Sequence, residues 1–149
     1  MQNASNGRSG IYAYGVKLLR TRDYTVAELG EKLAAKFGAT PQDVIELLKR
    51  KRFLDDRRFT ENYVARHKTR GQSILRAELL SKGIDTALAD EVLSAAEFPS
   101  LTDVVNAKMK NWKLYAPLQS RDAVRLFRAV ARLGFDEDSV REEIEKLQR

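Results

Sequence analysis

The chain has 149 residues, 43% of them apolar and 32% charged, which suits a soluble helical protein of one domain or a short array of small modules. With no cysteine, disulfides, thiol nucleophiles and cysteine metal sites are excluded, and no apolar run approaches the roughly 20 residues of a membrane span. The formal charge of +6 admits a polyanionic partner, and the absence of an apolar leader-like segment in Met1–Gly10 makes the cytoplasm the expected location.

Residues 1–9 read as a flexible N-terminal arm. A first helix is expected over Ile11–Leu19, with Ile11, Val16 and Leu19 inward. Thr25-Val26-Ala27-Glu28 is a capping box, in which the hydroxyl accepts from the third helical N–H and Glu28 reaches back to the cap. Val26, Leu29, Leu33 and Phe37 then recur at helical spacing until Gly38, which supplies a left-handed residue at low steric cost. Thr40-Pro41 opens a third helix, with Pro in its first position and Val44, Ile45 and Leu48 as its buried stripe.

This unit returns twice. Gly83 and Gly134 also close amphipathic helices, 45 residues after Gly38 and 51 after Gly83 respectively, and a short turn leads into a last helix each time. The last helices carry Leu88, Val92 and Leu93, or Val140, Ile144 and Leu147. One more helix precedes each pair, near 10–20, 56–69 and 101–115. The expected fold is therefore all-α: three tandem three-helix, helix-turn-helix-like repeats at 10–52, 53–98 and 99–149, in an elongated, curved array. Modules this small need their neighbours for stability.

Charge is concentrated in the middle. Residues 49–82 hold eleven basic and four acidic residues, net +7, whereas 101–149 hold ten and eight, net +2. In a helix reaching residue 69 or beyond, Phe59 and Tyr63 face inward and Arg66 and Arg70 share a face. Such a surface fits a phosphate backbone or an acidic protein groove. The bland alternative is a solvated helix face.

Catalytic chemistry is missing from the pattern. There is no phosphate-cradling glycine loop, and the sole histidine, His67, lies between Arg66 and Lys68 with no metal-ligand spacing. Asp55-Asp56 reads as a helix cap, with Asp56 as the capping residue, rather than a metal pair. Trp112 and Tyr115 read as packing residues rather than base-stacking platforms, since Val105, Met109 and Trp112 keep helical spacing. No enzyme, no metal and no cofactor is expected.

Phe53-Leu54-Asp55-Asp56-Arg57-Arg58-Phe59, then Arg70-Gly71, then Ala77-Glu78-Leu79-Leu80-Ser81-Lys82-Gly83-Ile84 resemble the RecX family. Arg22-Asp23-Tyr24-Thr25 with Glu28-Leu29 and Leu33 resembles its first module, and Leu126–Phe135 its third, so the resemblance covers about 11–147. One departure follows Gly71, where family members carry Pro and basic residues before an Ile. Gln72, Ser73 and Ile74 stand there, with Leu75 in the Ile position.

The resemblance implies three tandem three-helix repeats. It also implies a non-enzymatic regulator that binds RecA filaments on DNA, lies in the filament groove or caps or destabilises the filament, and suppresses ATP hydrolysis, strand exchange and coprotease activity. Recombination, DNA repair and the SOS response would be its setting, and RecA filaments and DNA of little sequence preference its partners, met as a monomer. Within the motif Asp56, Phe59, Leu79 and Gly83 read as structural. Recognition is expected from Arg50, Arg52, Arg66, Lys68, Arg70, Arg76 and Lys82. The alternative is a helix-turn-helix transcriptional regulator, which would prefer one operator by about 10³ or more.

Overall fold

The computed structural model describes residues 4–39 and 41–149, and among these every regular element is a helix. In chain order they are α1 (Ala4–Thr21), α2 (Val26–Phe37), α3 (Gln42–Arg50), α4 (Asp56–Arg66), α5 (Gln72–Ser81), α6 (Thr86–Ala95), α7 (Leu101–Asn111), α8 (Ser120–Ala131) and α9 (Glu137–Gln148). Helix α1 starts earlier than Ile11, so Ala4–Ser9, expected as an arm, are helical, and Arg8 reaches Asp43 of α3 at 2.9 Å. Pro41 caps α3 from outside rather than occupying its first position. Thr40 lies outside the described residues.

Contacts gather the chain into two compact units. One takes the chain as far as Tyr63 together with Glu78–Ser94; the other takes Val64–Ala77 together with Ala95–Arg149. In the first unit, Leu29, Leu33, Val44, Ile45, Leu48 and Leu54 are buried, and Ile11, Val16 and Leu19 of α1 pack against them. This core follows the helical periodicity of the sequence, with Leu29 and Leu33 four apart on α2, Ile45 and Leu48 three apart on α3, and Val16 and Leu19 three apart on α1. In the second unit α7, α8 and α9 pack on one another around Val105, Leu126, Val130, Val140 and Ile144. Tyr115, expected to pack, is 83% exposed, since the chain has left α7 before reaching it.

The three punctuating glycines hold φ of +90° at Gly38, +86° at Gly83 and +96° at Gly134, the left-handed region that L side chains avoid. At Gly83 the constraint is also steric, because a Cβ there would overlap the Ala27 side chain. The Thr25 hydroxyl, fully buried, accepts from Glu28 N–H at 3.0 Å and donates to the Lys82 carbonyl at 2.6 Å. The α5 turn is thus seated on the start of α2, within the first unit.

A second seat of the same kind lies in the other unit. The Gly71 N–H donates to the Leu133 carbonyl, and a Cβ on Gly71 would stand 2.7 Å from the carbonyl carbon of Gly134. Ile74 covers the other side, 2.6 Å from where a Gly134 Cβ would fall. The Arg70-Gly71 motif is therefore a packing device, since only glycine permits so close an approach of two backbones.

Candidate functional site

The α3–α4 connection carries two of the expected recognition residues. Arg50 ends α3 and is exposed. Arg52 is exposed but adopts φ +61°, the left-handed residue of a turn in which Phe53 and Leu54 N–H groups both donate to the Leu48 carbonyl. A non-glycine residue there is strained. Arg58 secures the turn, its two terminal nitrogens donating to the Arg52 carbonyl at 2.9 Å and the Phe53 carbonyl at 3.2 Å.

The aspartate pair divides its work differently from expectation. Asp55 caps α4 by accepting from Arg58 N–H at 3.1 Å. Asp56 instead accepts from the Val26 N–H at 2.8 Å, satisfying an otherwise orphaned donor at the start of α2. Burial pushes the Asp56 carboxyl above its ordinary range, opposed by that hydrogen bond and by Lys49. Neighbouring Arg57 makes a two-pronged pair with Glu91 of α6, at 3.2 and 3.0 Å, and the hydrogen bond holds Glu91 below the usual carboxylate range.

Lys82 is half-buried, its Nζ 3.9 Å from Glu28 and 5.6 Å from the centre of the Tyr63 ring. Tyr63 stacks on Phe59, and its hydroxyl donates to Glu78. Lys82 therefore belongs to the packing of its unit.

In the second unit, α4 ends at Arg66, which is exposed. The helical face expected to join Arg66 to Arg70 does not form, because residues 67–70 turn and the Gly71 N–H goes to Leu133 instead of a helical carbonyl. Lys68 and Arg70 are half-buried and line a cavity of about 300 Å³ with Gly71, Phe98 and Phe135 among its other walls. Arg70 and Arg76, the latter half-buried on α5, each have interactions within the protein. The seven residues thus fall as Arg50, Arg52 and Lys82 in one unit and Arg66, Lys68, Arg70 and Arg76 in the other. Arg50, Arg52 and Arg66 are the exposed ones.

A basic feature that the segment charges hide runs along α8 and onto its C-cap. Arg121, Arg125, Arg128 and Arg132 are all exposed and line one groove of about 960 Å³ with Trp112, Ser120, Val124 and Ala129. The Arg125 guanidinium lies over the Trp112 ring at 4.2 Å from its centre, and Lys108 Nζ is 5.7 Å from it. The spacing of four, three and four residues was legible, but the acidic α9 cancels it in the segment total. Among the described residues no group of three or more His, Cys, Asp or Glu side chains converges as a metal site, and no helix is long and apolar enough to cross a membrane.

Comparison with known proteins agrees over nearly the whole chain. The profile of the RecX second three-helix domain matches residues 55–93. The regulatory protein RecX of Halorhodospira halophila is 32% identical over 146 residues, covering 95% of this chain and 90% of that one. That of Chlorobium phaeobacteroides is 32% identical over 139 residues, covering 90% and 91%. The crystal structure of RecX from Lactobacillus salivarius superimposes with a TM-score of 0.70 at 17% identity, covering 96% of this chain and 97% of that one, which shows the shared fold.

Proposed function

The chain belongs to the RecX family of regulatory proteins, and on that premise we propose that it binds RecA filaments on DNA and inhibits RecA's ATPase, recombinase and coprotease activities without catalysis of its own. The regulator role comes with the family; the action on RecA is the proposal. It lies in the filament groove, caps the filament or destabilises it, and acts as a cytoplasmic monomer built of the modules 10–52, 53–98 and 99–149. The observation that carries the reading is the match that runs through all three helix triplets, with solvent-facing cations held on ordered elements.

Of the seven expected recognition residues, Arg50, Arg52 and Arg66 are the ones that face solvent, so they lead the proposed contact with the filament. Lys68, Arg70 and Arg76 support it from half-buried positions, and Lys82 acts by holding α5 to the Glu28 side chain. Long-range attraction of such cations to a polyanionic filament speeds encounter and weakens with salt.

Cosedimentation with RecA filaments assembled on single-stranded DNA tests the reading. The protein should enter the filament pellet, less so as salt rises, whatever the DNA sequence. A protein that ignores filaments and selects one duplex operator by about 10³ would instead be a transcriptional regulator.

A further inference from the structure

We propose that the α8 arginines with Trp112 form a binding site for single-stranded nucleic acid, held along its phosphodiester backbone. The proposal deepens the reading above, since it names where a filament regulator would touch the strand itself.

Geometry supplies the first argument. At 3.6 residues per turn, Arg121, Arg125, Arg128 and Arg132 project within about 60° of one another and span about 16 Å of helix, in steps of about 4.5–6 Å. That step is of the order of the spacing between phosphates in an extended strand. The four side chains line a single groove.

The stripe also lacks internal carboxylate partners. None of the four arginines forms an ion pair among the described residues. Asp122 is the only acid on α8, and it is half-buried. Four unpaired guanidiniums on one ridge repel one another, which costs the free protein stability and is relieved by a polyanion. Guanidinium is also the cation best matched to phosphate oxygens, through its planar fork of donors.

Trp112 supplies the third. Its ring packs partly against the α7–α8–α9 core yet lines the groove, with Arg125 stacked on it. Cations in a line with one aromatic beside them are what a single strand uses, backbone on the charges and a base on the ring. An acidic protein surface would favour a compact central anchor within an apolar patch. Here the charge is spread evenly along a whole helix, so the strand is the better fit.

The test is a titration of labelled oligothymidine by fluorescence anisotropy, without RecA. Trp112 is the only tryptophan, so its emission reports the same event. Wild type should bind, quench Trp112 with the same midpoint, and lose affinity steeply with salt. Arg121→Gln with Arg128→Gln should weaken binding tenfold or more and flatten the log-affinity against log-salt slope by about 1.4, two contacts at about 0.7 each. Lys17→Gln with Arg20→Gln on α1, matched in charge, should stay within about twofold on the same electrostatic argument. Circular dichroism and melting should confirm that the variants are folded, as expected for exposed side chains.

Wild-type affinity in the α8 variant, equal loss in the α1 variant, or no binding by wild type would overturn the proposal. So would equal binding of poly-glutamate, which would assign the stripe to an acidic protein. RecA ATPase inhibition by wild type is read separately. Its absence would remove the regulator reading while leaving the strand titration to stand or fall alone.

Discussion

Residues 49–82 carry eleven cations and α8 carries three of its four-arginine stripe with Arg132 just beyond its end, yet the smaller group is the more available. In the middle stretch Arg57 is spoken for by Glu91, Arg58 by two backbone carbonyls, and Lys82 by Glu28. Arg70 and Arg76 are engaged within the protein as well. Among the described residues the arginines of this stripe are exposed and form no ion pair, and Arg125 stacks on one indole. Local charge density therefore measures opportunity, and the partners of each side chain decide whether it is spent on folding or left for a ligand. Substitutions of the engaged cations in the middle stretch should move stability, whereas those of exposed Arg66 and of the α8 arginines should move binding with little change in stability.

The largest expected effect lies just beyond the middle stretch. Gly83→Val places a branched side chain at φ +86° and against Ala27. It should destabilise by about 3 kcal/mol through combined backbone strain and overpacking. Urea denaturation measures it, and an unchanged midpoint would mean that Gly83 does not hold the turn. By contrast Arg128→Gln on α8 should stay within about 0.5 kcal/mol of wild type.

Next is Arg58→Ala, which removes two charge-assisted hydrogen bonds from the strained Arg52 turn. A loss of about 1 kcal/mol is expected, given that the site is exposed. A variant as stable as wild type would place Arg58 with the free cations and blur the comparison.

Arg66 and Arg70 sharpen it further. Arg66→Glu should weaken filament cosedimentation without lowering the melting temperature, because Arg66 is exposed. Adding Arg70→Glu should lower the melting temperature by a few degrees, since that side chain is half-buried and engaged. Identical melting of the single and double variants would return Arg70 to the solvated face.

The smallest effect concerns Asp56. Because burial raises its folded-state pKa, the folded protein binds this proton more tightly than the unfolded chain does. Its contribution to stability should rise as pH falls from neutral through that raised value towards 3.8, its ordinary value. Asp56→Asn should lack this gain. The difference between wild-type and variant urea midpoints across that window isolates it from Glu91 and Asp136, whose lowered pKa values act in the opposite direction.

The helices were largely legible because apolar spacing, the Thr25 capping box and the three glycines are local signals, and tertiary contacts reinforced them. Asp56 was misread because capping depends on which helix start lies nearest in space, and Asp55 was better placed for α4 while Asp56 met Val26. The Arg66–Arg70 face failed because nothing in the spacing of 66–70 reveals that Gly71 is pinned by Leu133. The α8 stripe was missed for a different reason. Its periodicity is plain, but a net charge taken over 101–149 sums it with the acids of α9. Charge has to be read per helix face, as hydrophobicity is.

Restraint of RecA is the proposed action of this chain, and the single-stranded-DNA-dependent RecA ATPase reads it out. Purified protein added at substoichiometric ratios to filaments formed on oligothymidine should lower steady-state ATP hydrolysis progressively. Arg66→Glu should require more protein for the same inhibition. ATP turnover that stays at the level of RecA alone, with folded wild-type protein raised to stoichiometric amounts, would contradict the account.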